Sequence, residues 1–205
     1  MLKLKAPQNG FKVYDDPLIQ VIDNLLSTED CQHIIELAKP HMKEAVVSGV
    51  DGGIKSAGRT GGVHWVKHDT TPVISKIVDR ISDTVGVPRS HAESLQVIYY
   101  GVTQQYKPHF DAYDLTTEVG KRCTAKGGQR LVTALLYLND VEGGGGTTFP
   151  KAGCNVAARP GRAVIFHNCY DGTNVRHPSS LHGGMPVEKG EKWACNLWYR
   201  ENSSA

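Results

Sequence analysis

Two stretches of this chain hold side chains able to do chemistry. They are Tyr106-Lys107-Pro108-His109-Phe110-Asp111 and, far downstream, Leu181-His182-Gly183-Gly184. His109 and Asp111 are two residues apart, so on a strand both side chains turn to one face. One imidazole and one carboxylate, joined by a second imidazole, make the facial set that holds non-haem Fe(II) in oxygenases and leaves the other coordination positions open. His182 is the candidate for the second imidazole. Zinc accepts the same donors, which keeps a metal hydrolase in view, although no companion general base is visible. His-x-Asp also recurs by chance on surface strands.

The chain has nine histidines, so His182 has to be chosen from among them. His33 falls beside the apolar stripe of a predicted helix. His64, His68 and His91 precede the β-rich half. His167, at a strand end, and His177, in the polar loop 171–180, remain alternatives. His182 is preferred because a second feature accompanies it. In the last predicted strand, alternation places Lys192, Ala194, Asn196 and Trp198 on one face and Trp193, Leu197 and Tyr199 on the other, and both faces read as buried. A lysine committed to a buried face calls for an anion, although a strand-end lysine can also snorkel to water. Thr133 is the polar member of the apolar run 131–138, available either to the backbone or to a carboxylate.

The elements that must position these residues follow from periodicity. Leu18–Ile22 reads as a short strand. Ser27, with Asp30 three residues on, starts a helix in a near capping box, and Cys31, Ile34, Ile35 and Ala38 form its stripe. Thr71 and Pro72 open a second helix, carried by Ile74, Ile77, Val78, Ile81 and Val85 and stopped by Gly86 and Pro88. Between them lies a strand around 45–47, then residues 48–62 with six glycines: a surface loop or a lid over a binding site. After Pro88, short β-rich runs follow one another: 95–100, 106–111, 131–138, 155–158, 163–167, 181–183 and 192–199. The predicted fold class is α+β, with helices first and a sandwich or barrel such as a jelly roll after.

Composition bounds the partners. The 205 residues suffice for one domain with a full core. A formal net charge of +2 without a basic run gives no nucleic-acid footprint. No apolar run is long enough to span a membrane, and the N-terminus lacks the apolar segment of a secretory signal. The five cysteines are odd in number, scattered and without C-x-x-C, which reads as reduced thiols in a cytoplasmic protein.

Four segments together carry a resemblance: 104–111, 130–140, 144–150 and 180–193. In order and content they resemble the catalytic domain of prolyl 4-hydroxylases, which are Fe(II)- and 2-oxoglutarate-dependent dioxygenases. The likeness runs from about residue 18 to residue 199 and is closest to the stand-alone bacterial, algal or viral type. It implies one domain over residues 1–205: a helical flank over about 18–90 and a double-stranded β-helix core over about 94–200. It implies iron on His109, Asp111 and His182, and 2-oxoglutarate held at its distal carboxylate by Lys192 with Thr133 and Tyr100. It implies dioxygen as co-substrate and ascorbate in support of turnover. On the substrate side it implies that Arg59, Trp65, Glu93, Tyr106 and Trp198 contact a proline-containing peptide, with 48–62 and 114–129 as mobile loops. Gly61 and Gly146 depart from the serine and the acidic residue common in the family, which bears on peptide preference. The same chemistry on free proline, another residue or a small molecule stays open, as does a peptide-binding module without metal.

Overall fold

Alternation in strand Lys192–Arg200 sets the layers. Trp193, Cys195, Leu197 and Tyr199 enter an apolar cluster with two helices, whereas Ala194 enters a second cluster on the opposite face. The structure, a computed structural model, describes residue 4 and residues 10–49, 52–54 and 57–203. An eight-stranded antiparallel sheet runs Phe11–Tyr14, Ile19–Ile22, Ala163–His167, Arg130–Tyr137, Lys192–Arg200, Leu95–Tyr100, Gly62–Val66, Lys43–Glu44. A four-stranded sheet runs Cys154–Val156, Thr147–Phe149, His182–Gly184, Tyr106–His109. Ile98, Tyr100, Tyr137, Phe149, Val164 and Phe166 fill an apolar seam. Phe149, from the smaller sheet, meets Phe166, from the larger, edge to face at 5.1 Å. Two antiparallel sheets packed around such a seam are the jelly-roll, or double-stranded β-helix, arrangement.

Helices α1 (Thr28–Ala38) and α2 (Pro72–Val85) cover the outer face of the large sheet. Each begins as its sequence directs. Ser27 and Asp30 form a reciprocal capping box, and the Thr71 hydroxyl accepts from the Ile74 N–H, with Pro72 opening the helix. Gly86 closes α2 in the left-handed conformation at φ 73°. Ile34, Ile74, Ile77, Val78 and Ile81 pack on Leu95, Val97, Leu131 and Leu197.

Three differences from the sequence-based expectation have local causes. The flank 18–90 carries more strand than the runs read at 18–22 and around 45–47: it gives three of the eight strands of the large sheet, Ile19–Ile22, Lys43–Glu44 and Gly62–Val66, with Phe11–Tyr14 before it. Ile19–Ile22 pairs with Ala163–His167, and Gly62–Val66 pairs with Leu95–Tyr100. A third helix, α3 (Glu118–Thr124), stands within the predicted loop 114–129; its two turns are too short to show periodicity. In the glycine-rich stretch, Val47–Gly49 and Gly52–Ile54 form a hairpin. Residues 50, 51, 55 and 56 lie outside the described residues, so a lid over the whole of 48–62 falls partly outside them. So does most of the N-terminal segment read for a signal. Among the described residues no helix is long and apolar enough to cross a membrane. All five cysteines are free, and burial pushes the Cys31 and Cys195 thiols up.

Gly161 fixes how the start of α1 meets the core. Its carbonyl accepts the Leu25 and Leu26 N–H groups, its φ is +74°, and an added Cβ would sit 2.3 Å from the Leu26 carbonyl oxygen. Gly161→Ala is expected to cost at least about 1 kcal/mol from left-handed backbone alone, with the clash added. Chemical denaturation reads this; an unchanged midpoint contradicts the contact.

Candidate metal and co-substrate site

His109 and His182 are directly paired across adjacent strands of the small sheet, with ring centroids 4.5 Å apart. In each ring Nδ1 lies 2.9 Å from the carbonyl of the residue two positions earlier, Lys107 for His109 and Ser180 for His182. A carbonyl only accepts, so each Nδ1 carries the proton and each Nε2 keeps its lone pair. Those lone pairs meet Asp111: His109 Nε2 is 3.7 Å from Oδ1, and His182 Nε2 is 3.4 Å from Oδ2. One donor atom from each of the three residues lies within 4.8 Å of the others. Strand Tyr106–His109 ends before Asp111, which lies in the following bend, so alternation along one strand is not what joins the pair.

The surroundings set the charges. Burial and then His182 push the His109 imidazole strongly down, so it stays neutral. Burial opposes the Asp111 anion, but His182, His109 and Arg130 outweigh it and hold the carboxyl below its usual range. Two imidazoles that turn Nε2 toward one carboxylate suit a divalent cation. Tyr106 stacks on His109 at 3.5 Å, and Phe166 packs at 4.6 Å on His182.

Beside this cluster opens a cavity of about 450 Å³. Lys192 lies in its wall, 2% exposed, with Nζ 5.2 Å from the Tyr137 ring centre and 5.8 Å from that of Tyr100. No carboxylate pairs with it among the described residues, and burial lowers its pKa to about 7. Tyr100, opposite Lys192 in the sheet, also lines the cavity, and burial raises its phenol to about 12, so it remains a hydroxyl donor. A confined lysine with no carboxylate of its own, in a wall shared with the Tyr100 phenol, is chemically suited to one carboxylate.

Thr133 corrects the expectation that it helps hold that carboxylate. It shares the inner face of its strand with Leu135 and Tyr137, but its hydroxyl donates to Asp111 Oδ2 at 2.7 Å and accepts from Asn168 Nδ2 at 2.9 Å. Its hydrogen-bonding capacity goes to the neighbouring carboxylate, and it is not among the cavity-lining residues. Thr147, at the cavity wall and 2.6 Å from the Tyr137 hydroxyl, is the threonine on the Lys192 side.

Arg59, Trp65, Tyr106 and Trp198 all border the cavity. Arg59 reaches Gln96 Oε1 at 2.9 Å and the Val46 carbonyl at 3.1 Å, and its guanidinium lies 4.8 Å over Tyr106. Trp65 is 44% exposed and leans on Trp198 at 5.8 Å. Glu93 does not reach the cavity. It binds Arg130 at 2.6 and 2.8 Å and Arg200 at 2.8 Å, because two buried guanidiniums demand a carboxylate. Through Arg130, stacked 3.7 Å over the Trp198 ring, it braces that indole. His167 and His177 stay outside the cavity; His177 sits 4.3 Å from the Tyr170 ring and 3.5 Å from Asp16. Sequence reasoning passed over Gln96, Arg130 and Asn196. Strand alternation with Lys192 and Trp198 was the available signal for Asn196; Arg130 gave none.

Residues 95–200 match the model of the 2OG-Fe(II) oxygenase superfamily. The chain is 38% identical to Prolyl 4-hydroxylase 5 of Arabidopsis thaliana over 205 residues, covering 90% of this chain and 68% of that one. The chain belongs to the prolyl 4-hydroxylases of the 2OG-Fe(II) oxygenase superfamily. It is a dioxygenase that uses Fe(II) and 2-oxoglutarate. It is also 34% identical to Prolyl 4-hydroxylase subunit alpha-1 of Homo sapiens, across 96% of this chain and 37% of that one. Among solved structures, the viral collagen prolyl hydroxylase of Paramecium Bursaria Chlorella virus-1, in complex with 2OG, superposes with a TM-score of 0.70 at 27% identity. That match covers 92% of this chain and 98% of the other.

Proposed function

We propose that this chain hydroxylates peptidyl proline at C4, converting 2-oxoglutarate to succinate and carbon dioxide as it does so. The observation that carries the reading is the pairing of two recognition elements in one cavity: a His/Asp/His cluster with its Nε2 lone pairs free, and a buried lysine without an anion. His109, Asp111 and His182 would hold the iron. Lys192 and Tyr100 would take the distal carboxylate of 2-oxoglutarate, as a point charge and a neutral hydroxyl donor. With dioxygen as co-substrate, one oxygen going to succinate and the other to the proline carbon, iron and 2-oxoglutarate would supply an oxidant strong enough to break an unactivated C–H bond. The protein then has to place one carbon and exclude water. Leu135, Ile98 and Tyr106 dry the walls, while Trp65, Trp198 and Arg59 form an aromatic and hydrogen-bonding rim. A rim with a half-exposed indole favours an extended peptide over a free amino acid, which an enclosed pocket would serve better.

The test is a panel of proline-containing peptides incubated with Fe(II), 2-oxoglutarate and ascorbate. The expected products are succinate and a peptide heavier by one oxygen, with fragmentation placing it on proline. Oxygen gained by free proline but by none of the peptides would overturn the peptide assignment. Oxygen found on another residue would overturn proline.

A further inference from the structure

Asp111 does not stand alone in the protein. Its Oδ2 receives the Thr133 hydroxyl at 2.7 Å, and Thr133 receives the Asn168 amide at 2.9 Å. All three side chains are buried: Asp111 is 6% exposed, Thr133 1% and Asn168 0%. A threonine hydroxyl has one proton. With that proton on Asp111, Thr133 can only accept from its other neighbour, which dictates that Asn168 presents Nδ2 and not Oδ1. Asn168 Oδ1 is left buried without a partner among the described residues, a cost the fold carries to keep the amide in this orientation.

The backbone of Asn168 is equally committed. Its N–H donates to the Leu131 carbonyl. Its carbonyl accepts the His177 N–H at 2.9 Å, while the single proton of the Ser180 hydroxyl goes to the His177 carbonyl at 2.7 Å, with the Asn168 carbonyl farther off at 3.2 Å. Ser180 supplies the carbonyl that orients His182 Nδ1. Asn168 therefore supports Asp111 through Thr133, and its carbonyl anchors the His177 end of the turn that leads to His182.

We propose that Thr133 and Asn168 are positioning residues that fix the Asp111 carboxylate for the metal. The Thr133 proton occupies Oδ2 and leaves Oδ1, 3.7 Å from His109 Nε2, as the oxygen that Thr133 does not engage. Asn168 stops the hydroxyl from rotating away. The proposal rests on the ligand set given above, so its test separates the two.

Co(II) binding to the full chain, followed by calorimetry and by its visible absorption bands, reads metal affinity and ligand geometry without turnover. Thr133→Val, which keeps the shape and removes the hydroxyl, is expected to weaken Co(II) binding about 10- to 100-fold and to shift the bands. The affinity of the metal-saturated chain for 2-oxoglutarate should not change. Thr133→Ser should restore most of the loss. Asn168→Ser should give a smaller loss in the same direction. The double variant Thr133→Val/Asn168→Ser should bind no worse than Thr133→Val alone, because Asn168 acts through the hydroxyl already removed. The relay is overturned if Thr133→Val binds Co(II) with unchanged affinity and spectrum, if the two losses add, or if Thr133→Val weakens 2-oxoglutarate and not the metal. Should Thr133→Val fail to fold, the Asn168→Ser chain decides alone: unchanged affinity and bands refute the relay. An unmodified chain that binds Co(II) no better than Asp111→Ala signals that the ligand set itself is wrong.

Discussion

Asp111→Ala abolishes succinate formation and Co(II) binding while the chain stays folded. Its carboxylate is the one anionic ligand in a cluster otherwise made of imidazoles. Without it, a divalent cation meets two imidazoles and no counter-charge. The structural cost is modest by comparison: the Thr133 hydroxyl loses its acceptor, about 1–3 kcal/mol for an unsatisfied buried polar group. Turnover is therefore expected to fall by more than the roughly 10- to 100-fold typical of losing a ligand's hydrogen-bonding partner. His182→Ala should match it. His167→Ala and His177→Ala should remain active, because neither side chain reaches the cavity. An Asp111→Ala chain that keeps wild-type turnover, or a His177→Ala chain as dead as His182→Ala, would show that the metal lies elsewhere.

Lys192→Ala weakens 2-oxoglutarate about ten- to a hundred-fold, the worth of one charge-assisted hydrogen bond, 1.5–3 kcal/mol. Co(II) affinity should hardly change, since the three ligands are untouched. Lys192→Arg should recover part of the loss; the planar guanidinium needs room and geometry that a slot between Tyr100 and Tyr137 does not offer. The pH dependence has a definite sign. Burial lowers the Lys192 pKa to about 7 from its ordinary 10.5. Above pH 7 the free protein holds it neutral, so binding a carboxylate must first recover a proton. Affinity for 2-oxoglutarate should fall as pH rises above about 7, with net proton uptake measurable by calorimetry in buffers of different ionisation enthalpy. Stability runs the other way: between about pH 7 and 10.5 the unfolded chain binds a proton that the free folded chain does not. Lys192 therefore makes the free protein more stable as pH rises through that window. In Lys192→Ala both slopes should flatten. If the variant bound 2-oxoglutarate normally and lost only stability, the lysine would be structural.

What the sequence discloses about this fold follows from where periodicity is long enough to read. Ile74, Ile77, Val78 and Ile81 write α2 plainly, and the alternation of Lys192 to Trp198 against Trp193 to Tyr199 predicts the layers on either side of the central strand. Strand Ile19–Ile22 was legible, but the short α3 was not, nor was strand Gly62–Val66, which owes its existence to pairing with Leu95–Tyr100 farther along the chain. At the site, residue types identified the donors but not their partners. Thr133 is on the inner face as alternation requires, yet whether it serves Lys192 or Asp111 is a matter of depth across that face, which a period of two does not encode. Glu93 likewise looks free in sequence; only the convergence of Arg130 and Arg200 from two other strands shows that it is spoken for.

His109 and His182 belong to the small sheet, whereas the Asp111 carboxylate is tethered through Thr133 to the large one. A cation held by all three is thus a rivet between the layers, and any opening of the sandwich must first release it. Binding to the folded form alone stabilises that form in proportion to the logarithm of free metal over its dissociation constant. Iron scarcity then acts twice on this chain: it idles the catalyst, and it loosens the seam that keeps the catalyst folded.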